Sequence, residues 1–185
     1  YDQRFDKGRS DFDRTHVFNL SGLWELPVHF HNRALDAVVG GWNLNAIVSL
    51  MSGYPFTVTS GVDNARTGTG GQRANLTGDP YFSGDRSRAA QIAAWLNPAA
   101  FTANALGTFG TLGRNTFEGP GYANADVGLA KNFRITERVT TTFRFEAFNV
   151  LNRVNLTPPN SSLSSGANFM RITSAYDPRI LQLAL

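Results

Sequence analysis

Cysteine is missing from all 185 residues, so neither disulfides nor thiolate metal sites contribute to this chain. No run of 18 apolar residues occurs either, and a transmembrane helix is therefore not expected. Lysine is nearly absent. Lys7 and Lys131 are the only two, and the other basic residues are arginines scattered along the chain. The net charge is +3 with a pI near 9.6; with no basic stripe, nucleic-acid binding is not expected. Histidine is limited to His16, His29 and His31. His29-Phe30-His31 would bring two imidazoles to one strand face, but no carboxylate or thiol lies at supporting spacing, so they read as surface histidines and no metal is expected. Gly-x-Ser-x-Gly, a Walker loop and His-Glu-x-x-His are all missing. No catalytic constellation emerges, so neither an enzyme nor a cofactor is expected. Asp63-Asn64 and Gly78-Asp79 lie in Gly-rich loops but lack the ordered ligand spacing of a Ca²⁺ loop. The chain opens at Tyr1 within a polar segment, with no initiator Met and no signal pattern, and reads as a piece of something longer.

What is present is alternation. Fourteen Phe and 18 Gly give a β-rich, turn-rich composition. The stretch Val139 to Leu151 organises the rest. Val139, Thr141, Phe143, Phe145 and Ala147 form one face, and Thr140, Thr142, Arg144 and Glu146 the other. Arg144 and Glu146 share a face and are read as a pair along the strand. Further strands are expected over 15–26, 42–59, 122–133 and 171–185, the second with a bulge or bend near Gly53. Arg33 to Val39 suits a single helical turn. The long connection 60–121 is rich in turn signals, with a short helix expected inside Ser87 to Leu96, started by Asp85 or Ser87 and stopped by Asn97-Pro98. A second long connection covers 152–170.

Periodicity alone fits either a half-buried soluble sheet or membrane-barrel strands. Two features favour the barrel. Connections run shorter, long, short, long, as periplasmic turns and outer loops do. A strand of about twelve residues at about 3.3 Å rise, tilted about 45°, covers about 28 Å, against an apolar band of about 25 Å. The second feature is the level of the aromatics. Trp24, Trp42 and Phe133 fall on the apolar faces at the short-turn end, and Tyr54 and Phe56 on the same parity at the long-loop end, which is the pattern of an interfacial girdle. The expected fold class is therefore all-β, with about five antiparallel strands of a transmembrane β-barrel. Five strands cannot close such a barrel, so more strands are expected before Tyr1.

Particular segments then bring a family into view. Ser10-Asp11-Phe12-Asp13-Arg14-Thr15-His16, Gly40-Gly41-Trp42-Asn43-Leu44-Asn45 and Ser52-Gly53-Tyr54-Pro55-Phe56 resemble the C-terminal barrel portion of TonB-dependent outer-membrane receptors. So do Gly113-Arg114-Asn115, Gly119-Pro120-Gly121, Lys131-Asn132-Phe133 and Glu146-Ala147-Phe148-Asn149-Val150-Leu151-Asn152. The nearest likeness is to receptors with an N-terminal carboxypeptidase-regulatory-like domain. It covers the whole chain, with its segments in the expected order. It implies a 22-stranded barrel with a plug, placed in the bacterial outer membrane. It also implies import of a large scarce nutrient, an oligosaccharide or a metal chelate, through TonB contacts that lie outside this chain. The chain departs from the family in carrying no plug or TonB-contact segment, and in stopping at Leu185 without the terminal aromatic. Recognition is expected in residues 60–121 and 152–170, with Trp95, Tyr81 and Phe82 as stacking candidates for a sugar or aryl ligand. The alternative reading is a detached soluble or self-assembling β-sheet module that binds carbohydrate or polymer, or associates through its strand edges.

Overall fold

The structure, a computed structural model, describes residues 6–185. The chain divides into two compact units. One holds residues 16–51, 122–155 and 176–185; the other holds the segments up to residue 15, 52–121 and 156–175.

The first unit is a five-stranded antiparallel sheet. Its strands are β1 (Val17–Glu25), β2 (Trp42–Met51), β7 (Tyr122–Arg134), β8 (Thr140–Phe148) and β9 (Ile180–Ala184), in that spatial order. β-Branched, aromatic and small residues alternate along them, as a pleated backbone favours. The register turns this alternation into two continuous surfaces. Trp24, Leu44, Leu129, Phe145 and Leu183 form one rung, and Gly22, Ala46, Val127, Ala147 and Leu181 the next on the same face. On the opposite face Glu25, Asn43, Ala130, Arg144 and Ala184 align, followed by Leu23, Asn45, Gly128, Glu146 and Gln182. A one-residue slip of any strand would mix the two sets. Gly128 has a packing reason: a Cβ there would stand 2.0 Å from Asn45 Oδ1, so the Asn45 amide lies across it.

Within this unit β1 joins β2 through α1 (Arg33–Val39), N-capped by Asn32, whose side chain accepts from Ala34 N and Leu35 N. The turn after β7 is short. Both long connections leave from the other end of the sheet. Among the described residues no helix is long and apolar enough to cross a membrane.

The second unit is built from those long connections. It contains β3 (Pro55–Phe56) paired with β6 (Phe117–Glu118), β4 (Asn75–Leu76) paired with β5 (Phe101–Thr102), and α2 (Arg88–Ala93). Its core gathers Phe56, Val58, Ala74, Leu96, Ala100, Phe101, Leu112, Phe117, Phe169 and Met170. Phe117 is central, with ring centroids 6.0 Å from Phe56 and 5.5 Å from Phe101, which in turn meets Phe169 edge-on at 5.8 Å.

Three expectations change. The strand expected over 42–59 ends at Met51. Gly53 is buried, and a Cβ there would stand 1.9 Å from the Gly119 carbonyl oxygen. The chain thus leaves the sheet to pair as β3 with β6, rather than continuing through a bulge. The strand expected over 171–185 is confined to Ile180–Ala184. Residues ahead of it bond elsewhere: Ile172 N donates to Ile92 O at 2.9 Å, Asn160 N to Arg171 O at 2.9 Å, and Leu156 bridges Ala175. Pro178 has no N–H for a ladder. Finally, residues 60–121 are not a loose connection but most of a folded unit.

Candidate functional site

The stacking candidates from the sequence come together. Tyr81, Phe82 and Trp95 line one open cavity of about 340 Å³ with Gly84, Asp85, Arg86, Gln91, Leu96 and Glu118. α2 starts at its N-cap Ser87, whose hydroxyl accepts from Ala90 N, and ends at Ala94. That termination delivers Trp95 to the rim. Trp95 is packed against the core and held twice, by its amide on Met170 O at 2.7 Å and its indole N–H on Glu118 O at 2.8 Å. It therefore forms a wall. Tyr81 is 62% exposed and stands edge-on to Phe117 at 6.4 Å. Phe82 carries the Arg86 guanidinium 3.8 Å above its ring centroid. Ring faces, Arg86 and the acidic residues Asp85 and Glu118 thus line one opening, with the Arg86 guanidinium donating to Trp95 O and Ala90 O and the Glu118 carboxylate 3.4 Å from Arg9 Nη1. That set suits a ligand with both apolar C–H faces and hydroxyl groups.

A second cavity, of about 450 Å³, is lined by Thr57, Thr59, Thr67, Thr69, Gln72, Arg73, Phe109 and Arg114 among others. Several of its polar groups already have partners. Thr57 Oγ1 bonds Asn115, Gln72 Nε2 donates to Asp63 Oδ1 at 2.8 Å and Thr67 Oγ1 at 2.6 Å, and Arg73 pairs with Asp6 at 3.2 Å. The loop beside it is tied by one carboxylate. Asp63 accepts from the backbone N–H of Thr67 and Gly68, at 2.9 and 2.7 Å, and these bonds, the Thr67 amide first, hold its pKa below the usual value. Asp63 is thus a turn-forming residue, and the Ca²⁺ reading has no support from its surroundings. Among the described residues no group of three His, Cys, Asp or Glu is placed to hold a metal. His29 and His31 lie outside any strand, and His29 Nδ1 faces Asp36 Oδ1 at 3.6 Å.

Several of the segments that carry the resemblance make structural contacts. Asn115 is buried at positive φ, 52°. It donates to Arg9 O at 2.8 Å and to Asp11 Oδ1 at 2.6 Å, and Arg114 pairs with Asp11 at 3.0 Å. Gly113-Arg114-Asn115 thereby clasps the Ser10–Arg14 segment. Asn149 and Asn152 both take φ of 49° and turn the chain out of β8. Asn149 N donates to Asp126 Oδ1, and Asn149 Nδ2 to Arg153 O.

Arg144 and Glu146 share the polar face as expected, but they form no ion pair. Two positions along a strand are about 6.6 Å apart, and each residue's cross-strand neighbours are uncharged: Ala130 and Ala184 for Arg144, Gly128 and Gln182 for Glu146. The girdle set divides. Trp24 and Trp42 lie on the apolar face, Trp42 edge-on to Phe143 at 5.9 Å, with Phe133 on the same face of β7. Tyr54 and Phe56 do not belong to the sheet. Phe56 is in the aromatic core of the other unit, and Tyr54 lies under the Arg14 guanidinium at 3.7 Å, because the chain leaves β2 before reaching them. Sequence reasoning missed Lys131, buried on the otherwise apolar face. Its signal was its parity with Val127, Leu129 and Phe133.

An antiparallel sheet apolar on one face and polar on the other, with long connections at one end and short ones at the other, is the arrangement of strands in a membrane barrel. The chain matches the model of a family described as an outer membrane beta barrel domain over residues 1–182, and it belongs to that family. It is an outer-membrane protein. Comparison with curated proteins and with solved structures gave no match.

Proposed function

We propose that this chain is the part of a TonB-dependent outer-membrane receptor that helps recognise and import a large nutrient, an oligosaccharide or a metal chelate. The role is transport rather than catalysis. The observation that carries the reading is the second unit. A barrel that served only as an anchor has no use for outer connections folded around their own aromatic core with an open, amphipathic cavity on the surface. The polar sheet face, with Asn43, Asn45, Arg144, Glu146 and Gln182 in register, supports a hydrated lumen. Tyr81 and Phe82 would stack on the ligand while Asp85, Arg86 and Glu118 bond its polar groups. The energy source would be TonB, reached through parts of the receptor outside this chain. Further strands would close the two free edges of the sheet.

The test is growth of the producing bacterium on oligosaccharides and metal chelates as sole nutrient sources. Disrupting the receptor gene should remove growth on one of them, and disrupting TonB should do the same. A double substitution, Tyr81→Ala with Phe82→Ala, should raise the nutrient concentration needed while leaving the receptor at normal abundance in the outer membrane. Receptor-dependent growth that persists without TonB would overturn the energised-transport reading.

A further inference from the structure

The 26–41 connection is longer than a barrel's short-side turn needs to be, and it contains a helix. The last carbonyls of a helix lack partners within it, and α1 has no basic residue in its last turn. Gly40 N donates to Asp36 O at 2.9 Å, and further partners come from the sheet. The Trp42 indole N–H donates to Val38 O at 3.0 Å, and Lys131 Nζ donates to Asp36 O at 3.3 Å and also to Gly40 O. Both side chains belong to the apolar face: Trp42 and Lys131 are register partners, and Phe143 completes the rung. The C-terminal end of α1 is therefore drawn to the outward side of the sheet and away from the polar side. Lys131 is 4% exposed. Its ammonium sits 5.2 Å from the Phe133 ring centroid and 5.8 Å from that of Trp42. Its charge lies at the negative end of the helix dipole.

On α1 itself, Leu35, Val38 and Val39 follow i, i+3, i+4 spacing and make one apolar stripe, all three exposed and Val38 64% so. The carbonyls of Asp36, Val38 and Gly40 are bonded to sheet side chains, and the apolar side chains of Leu35, Val38 and Val39 are exposed. Water requires neither arrangement, whereas an apolar boundary requires both. The helix is bonded to Trp42, which shares the apolar face with Trp24, and tryptophans are residues of the kind that mark membrane interfaces.

We propose that α1 is an interfacial helix. Its Leu35, Val38 and Val39 side chains enter the acyl boundary of the inner leaflet, and Lys131 and Trp42 hold it there by its C-terminal carbonyls. The partner is phospholipid hydrocarbon at the periplasmic side, where barrels place their shorter connections. The inference rests on membership of the barrel family and stands or falls apart from the transport reading.

The absence of cysteine in these residues permits single labels. A nitroxide would be attached at Val38→Cys, and separately at Ala37→Cys, in the full-length protein reconstituted in phospholipid bilayers. Val38 should collide more with dissolved oxygen than with a water-soluble nickel chelate, and Ala37 the reverse. Adding Lys131→Met should shift the Val38 label toward the aqueous pattern and raise its mobility, with barrel assembly checked by resistance to unfolding in cold detergent. A Val38 label that favours nickel in the unmodified background would overturn the proposal, because the helix would then lie in water. A label shielded from both reagents would also overturn it, because protein would then cover the stripe. If Lys131→Met leaves both labels unchanged, the holding role assigned to Lys131 fails.

Discussion

Asp11 is exposed, yet the Asn115 amide first and then the Arg114 guanidinium hold its pKa below the usual carboxylate value. A depressed pKa contributes stability that is present above the unfolded value, near 3.9, and is lost as pH falls through the folded value. The clasp on Ser10–Arg14 should therefore be intact at neutral pH and loosen in acid. Amide exchange of residues 9–15, corrected for the intrinsic rate, should rise on acidification in the native chain. In Asp11→Ala it should be raised at both pH values. Equal exchange in the two chains at neutral pH would mean that Asp11 adds nothing to the clasp. In the sheet, single residues report which face meets lipid. Leu44 pairs with Leu129 and Trp24 on the apolar face, and Asn45, its neighbour in sequence, lies across Gly128 on the polar one. Leu44→Arg should cost about 2–4 kcal/mol near the midplane, less if it sits toward the interface. Asn45→Arg, facing Glu146 across Gly128, should cost well under that. Denaturant titration of the reconstituted barrel measures both, and equal costs would contradict the assignment of faces.

At the scale of elements, the sheet and the loop unit differ in how they could be read. Strand parity is local. Trp42, Leu44, Ala46 and Val48 alternate within one segment, so the face they form is visible without knowing any partner, and the register then only has to bring like faces together. The loop unit has no such signal. Its core takes Phe56 and Val58 from one segment, Ala74 from another, Leu96 to Phe101 from a third, Phe117 from a fourth, and Phe169 with Met170 from beyond two strands. Nothing periodic announces that these meet, and turn-rich sequence around isolated apolar residues reads as loop. The same blindness placed Phe56 in a girdle, since its parity continues that of β2 although the chain has already left the sheet at Gly53. The cavity residues were legible in part. Tyr81, Phe82 and Trp95 stood out as aromatics in a polar stretch, but Arg86 over Phe82 and Glu118 beside Trp95 depend on the fold. This bears on how the site should be tested. Removing residues 80–100 would also remove Leu96 and Ala100 from the core, and so would unfold the unit. Phe117→Ala isolates that effect: losing a ring packed on Phe56, Phe101 and Tyr81 should cost the loop unit about 3–5 kcal/mol. Hydrogen exchange should accelerate across 52–121 and 156–175 while β2, β7 and β8 stay protected. Uniform acceleration of both units would show that they unfold as one. Tyr81→Ala, by contrast, should leave exchange unchanged and weaken ligand binding by about tenfold, equivalent to about 1.4 kcal/mol.

For the whole molecule, the decisive quantity is the uncovered surface of the sheet. Among the described residues β1 and β9 each pair on one side only, so two edges of backbone donors and acceptors are open. Charged or kinked edges are the usual protection against strand addition. β1, Val17–Glu25, has only Glu25 as a charge and no proline, and β9 has neither. On the apolar face Phe18, Leu20, Trp24, Leu181 and Leu183 are exposed, and they flank a continuous stripe through Leu44, Leu129 and Phe145. A patch of this extent exceeds the few hundred Å² that soluble monomers usually leave uncovered. In a barrel both problems vanish together: neighbouring strands pair the edges and hydrocarbon covers the face. Without a barrel they compound each other, because edge pairing between copies extends the apolar face instead of hiding it. The purified 185-residue chain should therefore not persist as a monomer in detergent-free buffer. It should associate into large β-rich particles, and added detergent or bilayer should reduce their size. Sedimentation velocity with and without detergent measures this. A stable 20.2 kDa monomer in plain buffer would mean that the apolar face is covered from within, and a soluble sheet module would then replace the membrane-facing assignment of Leu44, Leu129 and Phe145.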